Sequence, residues 1–279
     1  TNLCGNNGTV VCTPPSPGPF YPGTTTVHCV ATDTNTGCSA SCDFTVTVVS
    51  QPPWANFTST TTTGPAPLQV IFTDNSTGTI ASVTWTFGDG HAATNAAPTT
   101  VTNTYSAAGH YSVTQIVDSA SSCGISTNGQ PNLIWVLTAW EAWQQQYFNC
   151  IGCAQAAANA DPDGDGMSNT NEFLAGFNAT NSAAYLHIIS IARTNNDMRV
   201  TYLGANGDST YPGGPASRTN VLEFTTGTAN GSYTNNFVNT GQTNVLSGGT
   251  GLGVITNMVE VGGATNAPAR YYRVRVLVP

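Results

Sequence analysis

Lysine is absent from this chain. All six basic residues are arginine, set against 14 acidic ones, for a formal net charge of -8. Charged residues make up only 7% of the sequence, far below the roughly 25% of an average soluble domain. This shortage of cations excludes the basic stripe that a nucleic-acid partner needs to neutralise phosphates. It also excludes a polybasic patch for an anionic membrane surface. No apolar run approaches the roughly 18 residues of a helical membrane span. Catalytic signatures are missing too. The four histidines, His28, His91, His110 and His187, form no H-E-x-x-H or H-x-H pattern, and there is neither a G-x-S-x-G elbow nor a phosphate loop. Asp89 reads as a turn former and His110 as a surface or edge residue. Asp118, Asp208 and Glu223 show no partners in the sequence. The chain is therefore expected not to be an enzyme.

What is present points to folded β modules. A length of 279 residues suggests two or three domains. Hydrophobic residues, at 39%, suffice for ordinary cores, while Thr, Asn, Ser and Gly cover the surface. Eight cysteines, Cys4, Cys12, Cys29, Cys38, Cys42, Cys123, Cys150 and Cys153, read as disulfides formed in an oxidising compartment, which places the chain outside the cell or at its surface. Metal or redox chemistry at the C-x-x-C of Cys150 and Cys153 is the alternative. It lacks a second C-x-x-C, a nearby His pair and a βαβ context. The pairing stays open. A chain that begins at Thr1 also raises the expectation of a removed signal peptide. Five N-x-S/T sequons, at Asn7, Asn56, Asn75, Asn178 and Asn230, are compatible with surface glycosylation.

Along the chain, Thr24–Ala31 and Phe44–Val49 are β-branched runs around a polar turn at Asp33–Ser41, which makes a hairpin with Cys29 and Cys42 on opposed arms. Val11-Cys12, Pro14-Pro15, Phe20, Gly23–Val27, Ala31–Asp33 and Cys42–Val48 resemble the second half of a hyalin (HYR) repeat, an immunoglobulin-like module. The opening strands of that family are missing here. Residues 54–137 resemble a PKD domain, a β-sandwich, on Trp85–Gly90, Tyr105, Gly109, Tyr111, Val113 and Val117. Asn103 stands where that family often has His. Trp85 and Phe87 lie two apart and face inward on a strand, and Trp54 is expected to plug a core or linker contact. From 138 the period becomes helical: Trp140, Trp143, Tyr147, Phe148 and Ile151 make an aromatic stripe for core packing, and Thr138 with Glu141 has the form of a capping box. After about 184 the strand period returns. Leu186–Ala192 and Met198–Leu203 make a hairpin, and the last strand turns Tyr272, Val274, Val276 and Val278 to one face. With the aromatic helix, the C-x-x-C of Cys150 and Cys153 and the acidic stretch Asp161–Glu172 in that order, residues 138–279 also look like a C-terminal module of large secreted proteins of Verrucomicrobia-like bacteria, a resemblance that implies no activity. The expected fold class is thus mainly β, with tandem immunoglobulin-like β-sandwiches and a short helical calcium-loop segment before the last β domain. The expected divisions are 1–50, 51–137, 138–183 and 184–279.

The sharpest chemical feature runs from Asp161 to Glu172. Asp161, Asp163 and Asp165 offer oxygens at the first, third and fifth places of an EF-hand loop, and Gly166 at the sixth permits the sharp turn. Met167 offers its backbone carbonyl, Asn169 serves the ninth place, through water, and Glu172 at the twelfth can bind with both oxygens. Hard oxygen ligands at these offsets suit Ca²⁺. The loop is similar to those of dockerins and thrombospondin type 3 repeats, which lack a full incoming helix, and Asn149–Ala160 separates the helix from it here. A short exit helix is expected over Asn169–Gly176.

Two functional expectations follow. One is a subunit of an extracellular filament or appendage, completed by a strand from a neighbouring copy and stabilised by calcium and disulfides. The other is an accessory or adhesion region of a larger secreted enzyme, or a polysaccharide-binding adhesin.

Overall fold

The computed structural model describes residues 8–49, 51–96, 99–119, 124–265 and 269–278. Cys4, Cys123 and the Asn7 sequon lie outside the described residues. The protein is mostly strand, as expected: β1 (Gly8–Thr13), β2 (Gly23–Asp33), β3 (Ser39–Val48), β4 (Phe57–Ser59), β5 (Thr63–Pro65), β6 (Leu68–Asp74), β7 (Ser82–Thr86), β8 (Ala92–Asn95), β9 (Thr100–Tyr105), β10 (Gly109–Asp118), β11 (Ile125–Leu137), helices α1 (Ala139–Phe148) and α2 (Asn169–Ala175), then β12 (His187–Thr194), β13 (Asp197–Gly204), β14 (Ser217–Gly227), β15 (Val238–Ser247), β16 (Val254–Glu260) and β17 (Ala269–Leu277). Two compact units divide the chain. The first holds residues 1–60, 71–103 and 111–133, and the second holds 61–70, 104–110 and 134–279.

In the first unit, β1, β2 and β3 form an antiparallel sheet in that order. Its pairing extends to Thr32 opposite Ser39, so the turn is shorter than the polar stretch suggested. Asp33 closes it by accepting from the Asn35 backbone N–H at 2.8 Å, an Asx turn. Cys29 lies in register with both Cys12 and Cys42. The bond formed is Cys12–Cys29, and among the described residues Cys38 and Cys42, both exposed, have no disulfide partner. A second disulfide joins Cys150 to Cys153. Alternation puts Val27 and Cys29 in the buried set, yet Val10 and Phe44 on the same face remain 67% and 50% exposed.

Strands β4, β6 and β9 form one further sheet in the order β4-β6-β9, and another runs β11-β10-β7-β8. Trp85 and Phe87 are buried, as their spacing predicts, with Phe57 and Phe72 packed on Trp85 at ring separations of 5.1 and 5.8 Å. Gly88 takes a φ of 83°, and a Cβ there would lie 2.6 Å from the Ser112 carbonyl oxygen, so no side chain fits the turn. Asp89 accepts from the His91 backbone N–H at 3.0 Å and from buried Asn103 at 2.7 Å, and these bonds tie the turn to β9. His110 is exposed, as expected. Trp54 departs from expectation: it is 70% exposed. Pro53 and Ala55 on either side are buried, so strand alternation turns the indole outward.

In the second unit, β5 runs parallel to Trp135–Leu137 at the end of β11. The sheets β12-β13-β16 and β15-β14-β17 enclose Val200, Tyr202, Leu222, Met258 and Tyr272, with Val274 packed alongside. The strand face foreseen in β17 is the one turned inward. Helix α1 begins on the expected capping box, with Thr138 and Glu141 bonded reciprocally, and ends at Asn149 in the left-handed region. Its Trp143 is fully buried among Leu137, Ala142, Ala179 and Tyr211. Asp208 and Glu223 have partners after all. Fully buried Asp208 accepts from Tyr147 and Thr210, and Glu223 is gripped by Arg273 and Arg275 at 2.6 and 2.9 Å. Tyr147, Arg273 and Arg275 come from other elements, so local sequence did not show them.

Candidate metal centre

The segment after α1 makes one short 3-10 turn, Ala154–Ala156, and no full incoming helix. The chain then folds over itself through two left-handed glycines, Gly164 at φ 77° and Gly166 at φ 92°. Asp161 organises this turn: one carboxylate oxygen accepts from the Gly164 N–H at 2.9 Å, the other from the Gly166 N–H at 3.0 Å. Asp165 accepts from the Met167 N–H at 2.7 Å. Helix α2 follows, as foreseen, and ends at Gly176 in the left-handed region. A Cβ on Gly176 would sit 2.8 Å from the Gly207 Cα, so that close approach requires glycine.

The fold brings Asp161, Asp163 and Asp165 together, each offering an oxygen within 4.8 Å of the others. Glu172, on α2, is fully buried and, among the described residues, has no hydrogen-bond partner at either carboxylate oxygen. Both oxygens of Asp163 and one of Asp165 are likewise buried without partners. Burial, followed by the charges of Asp163, Asp165 and Asp161, pushes the Glu172 carboxyl up to about 8. Burial and Asp165 raise Asp163, and burial raises Asp165. Acids arranged in this way are poorly placed for ionisation unless a cation sits among them. Unpartnered hard oxygens on one turn and the first turn of a helix are donors of the kind that a divalent cation such as Ca²⁺ takes. Met167 is half-buried beside this turn.

Asn169 does more than the ligand pattern foretold. It is fully buried, and its side-chain N–H₂ donates to the Gln155 and Ala157 carbonyls, both at 2.8 Å, while its Oδ1 has no partner. Thr170 adds a bond to the Ala158 carbonyl at 2.8 Å. These two residues clasp the lead-in segment to the start of α2. The exposed-looking run N-T-N gives no hint of this, because the partners are carbonyls. At the other end of α2, Arg218 from β14 donates to the Leu174 carbonyl at 2.9 Å, a cation on a helix C-terminus. Phe173 packs on Trp140 and Trp143, and Phe177 is buried with Ala175, Ala184 and Ala205. The acidic turn is thereby joined through one short helix to both the aromatic cluster of α1 and the terminal sandwich.

Comparison with known proteins bears on other parts of the chain. Residues 50–132 match the family model described as PKD domain, in agreement with the resemblance carried by Trp85–Gly90. No curated protein matches the sequence. A solved structure described as "Structural basis for the promiscuous specificity of the carbohydrate-binding modules from the beta-sandwich super family" is similar at 17% identity, over 81% of this chain and 96% of that one, with a TM-score of 0.28. A likeness that low carries no structural argument. No helix among the described residues is long and apolar enough to cross a membrane.

Proposed function

We propose that the chain is a non-enzymatic extracellular structural protein in which a calcium ion, bound between Asp161 and Glu172, fixes the helical segment to the C-terminal sandwich. Asp161, Asp163 and Asp165 supply carboxylate oxygens, Met167 its carbonyl, Asn169 its Oδ1 through water, and Glu172 both oxygens. One observation carries this reading: Glu172 is 0% exposed, and neither of its oxygens has a partner. Burying such a group without compensation costs stability, and a cation supplies the compensation. Folding is then linked to calcium by mass action. The test is a thermal melt with calcium and with chelator, alongside elemental analysis of the purified protein. A lower melting temperature in chelator, with calcium found near one per chain, is expected. An unchanged melt with no bound calcium sinks the reading.

The same reading includes assembly into a filament. Among the described residues, no strand pairs with the outer edges of β1 or β3, and Val10 and Phe44 lie exposed on the sheet's apolar face. A strand from a second copy could add to such an edge. A contact of that kind between different surfaces propagates instead of closing. Negative-stain electron microscopy of concentrated protein in calcium decides this, and dispersed monomers alone would refute the assembly.

A further inference from the structure

We infer that Trp54 and the concavity beside it form a binding subsite for a neutral sugar ring. The concavity measures about 260 Å³ and is lined by Trp54, Ala55, Asn56, Ser126, Thr127 and Asn128. All of these residues belong to the first compact unit, so the site is separate from the acidic turn.

Three observations converge on a sugar. The first is the indole itself, which is 70% exposed although tryptophan is highly buried on average. The second is that this exposed side chain stands on an immobilised backbone. The Trp54 N–H donates to the Thr77 carbonyl at 2.8 Å, and the Trp54 carbonyl accepts from the Thr77 N–H at 3.1 Å. The next two backbone N–H groups donate to Ser126 Oγ at 3.0 Å and Ser76 Oγ at 3.1 Å. Pro52 and Pro53 restrict the chain just before it. The platform is therefore already ordered, and a ligand need not supply the free energy of ordering it.

The third observation is the chemistry of the lining. Apart from Trp54 and Ala55, its lining residues are Asn56, Ser126, Thr127 and Asn128, which carry uncharged amides and hydroxyls. These groups both donate and accept. A pyranose ring has the matching surfaces: an apolar C–H face to lie on an aromatic ring, and a rim of hydroxyls that donate and accept. Among the described residues, no charged side chain lines the concavity. All six arginines fall between Arg193 and Arg275, so an anionic sugar has no counter-charge here. A proline-rich peptide would dock on a groove lined by several aromatics, and Trp54 is the one aromatic in this lining. A single subsite of this size binds weakly, so repeated copies of the chain on a polymeric glycan would supply avidity.

The test is affinity gel electrophoresis of the full chain, produced free of N-glycans because Asn56 is a sequon, in gels containing hydroxyethylcellulose, laminarin or galactomannan. Retardation of the wild type by at least one of the three is expected. Trp54→Ala should weaken it about tenfold, and Trp54→Phe should keep part of it. Truncating so exposed a side chain leaves the core intact, which an unchanged melting temperature would verify. The retardation should persist in chelator, so failure of the calcium reading does not imitate failure here. No retardation in any gel, or undiminished retardation of Trp54→Ala, overturns the proposal. Binding to immobilised oligoproline that Trp54→Ala abolishes, without retardation by any polysaccharide, assigns the platform to a peptide and also overturns it.

Discussion

Replacing Glu172 with glutamine should move stability in opposite directions with and without calcium. In chelator, the wild-type carboxyl is buried without partners and faces the charges of three aspartates. Glutamine keeps the volume and is neutral at every pH, so folding no longer has to protonate a carboxyl pushed up to about 8. The relief is on the order of 1–3 kcal/mol once the amide's own missing partners are set against it. At about 2–4 °C per kcal/mol for a unit of this size, Glu172→Gln should melt roughly 2–12 °C above the wild type. In calcium the order reverses. A free cation at a hundredfold its dissociation constant stabilises the wild type by about 2.7 kcal/mol, whereas glutamine loses the bidentate contact and most of that gain. The assay is differential scanning calorimetry of both proteins at neutral pH, in saturating calcium and in chelator. A crossing of the two melting temperatures supports the site. If Glu172→Gln melts below the wild type in chelator and calcium shifts neither protein, Glu172 is an ordinary buried residue and the argument from its unpartnered oxygens fails.

Other perturbations probe neighbouring links. Gly166→Ala meets no atom within 4 Å, so its cost at φ 92° is backbone strain alone, which denaturant unfolding in chelator should read as about 1–2 kcal/mol. Trp143→Ala empties a fully buried site and should cost about 3–5 kcal/mol in denaturant unfolding, while Thr138→Ala removes only the cap and should cost about 1 kcal/mol. Burial opposes ionisation of Glu223, but the hydrogen bonds and charges of Arg273 and Arg275 outweigh it and hold the carboxyl below the usual glutamate range. Its folded value therefore lies under its unfolded one. The stability it contributes is present above about pH 4.5 and drains away as the pH falls through the folded value, a slope that Glu223→Gln should flatten in acid melts.

The features legible in the sequence were those encoded locally. A capping box is two residues three apart, and Thr138 with Glu141 formed it. The β2–β3 hairpin, the exit helix α2 and the inward face of β17 all follow from period and turn chemistry. The acidic turn was legible for the same reason, since its carboxylates lie within one short stretch. Contacts that depend on tertiary placement were not legible. Glu223 meets Arg273 and Arg275 only after β14 and β17 pair, and Asp208 meets Tyr147 only when α1 docks. Asn169 read as a ligand in the sequence because the task the structure gives it, holding the carbonyls of Gln155 and Ala157, is written in backbone atoms that sequence does not distinguish. Trp54 was misjudged because hydrophobicity suggested burial, whereas its place between buried Pro53 and Ala55 decided its direction.

The Cys12–Cys29 bond also bears on how the protein would carry load. Tension travelling along the chain would enter through β1, cross the sulfur bridge to β2 and leave through β3. The residues between the two cysteines, including the Pro-rich bend, would be bypassed. With a sequence separation of 17, the bridge withholds about 60 Å of extensible chain. Between β2 and β3, by contrast, the described residues form hydrogen bonds and no disulfide, although Cys42 lies in register with Cys29. The first module would therefore yield by separating β3 from β2, and it would lengthen by a limited, fixed amount before the covalent bridge arrested it, like a short safety tether.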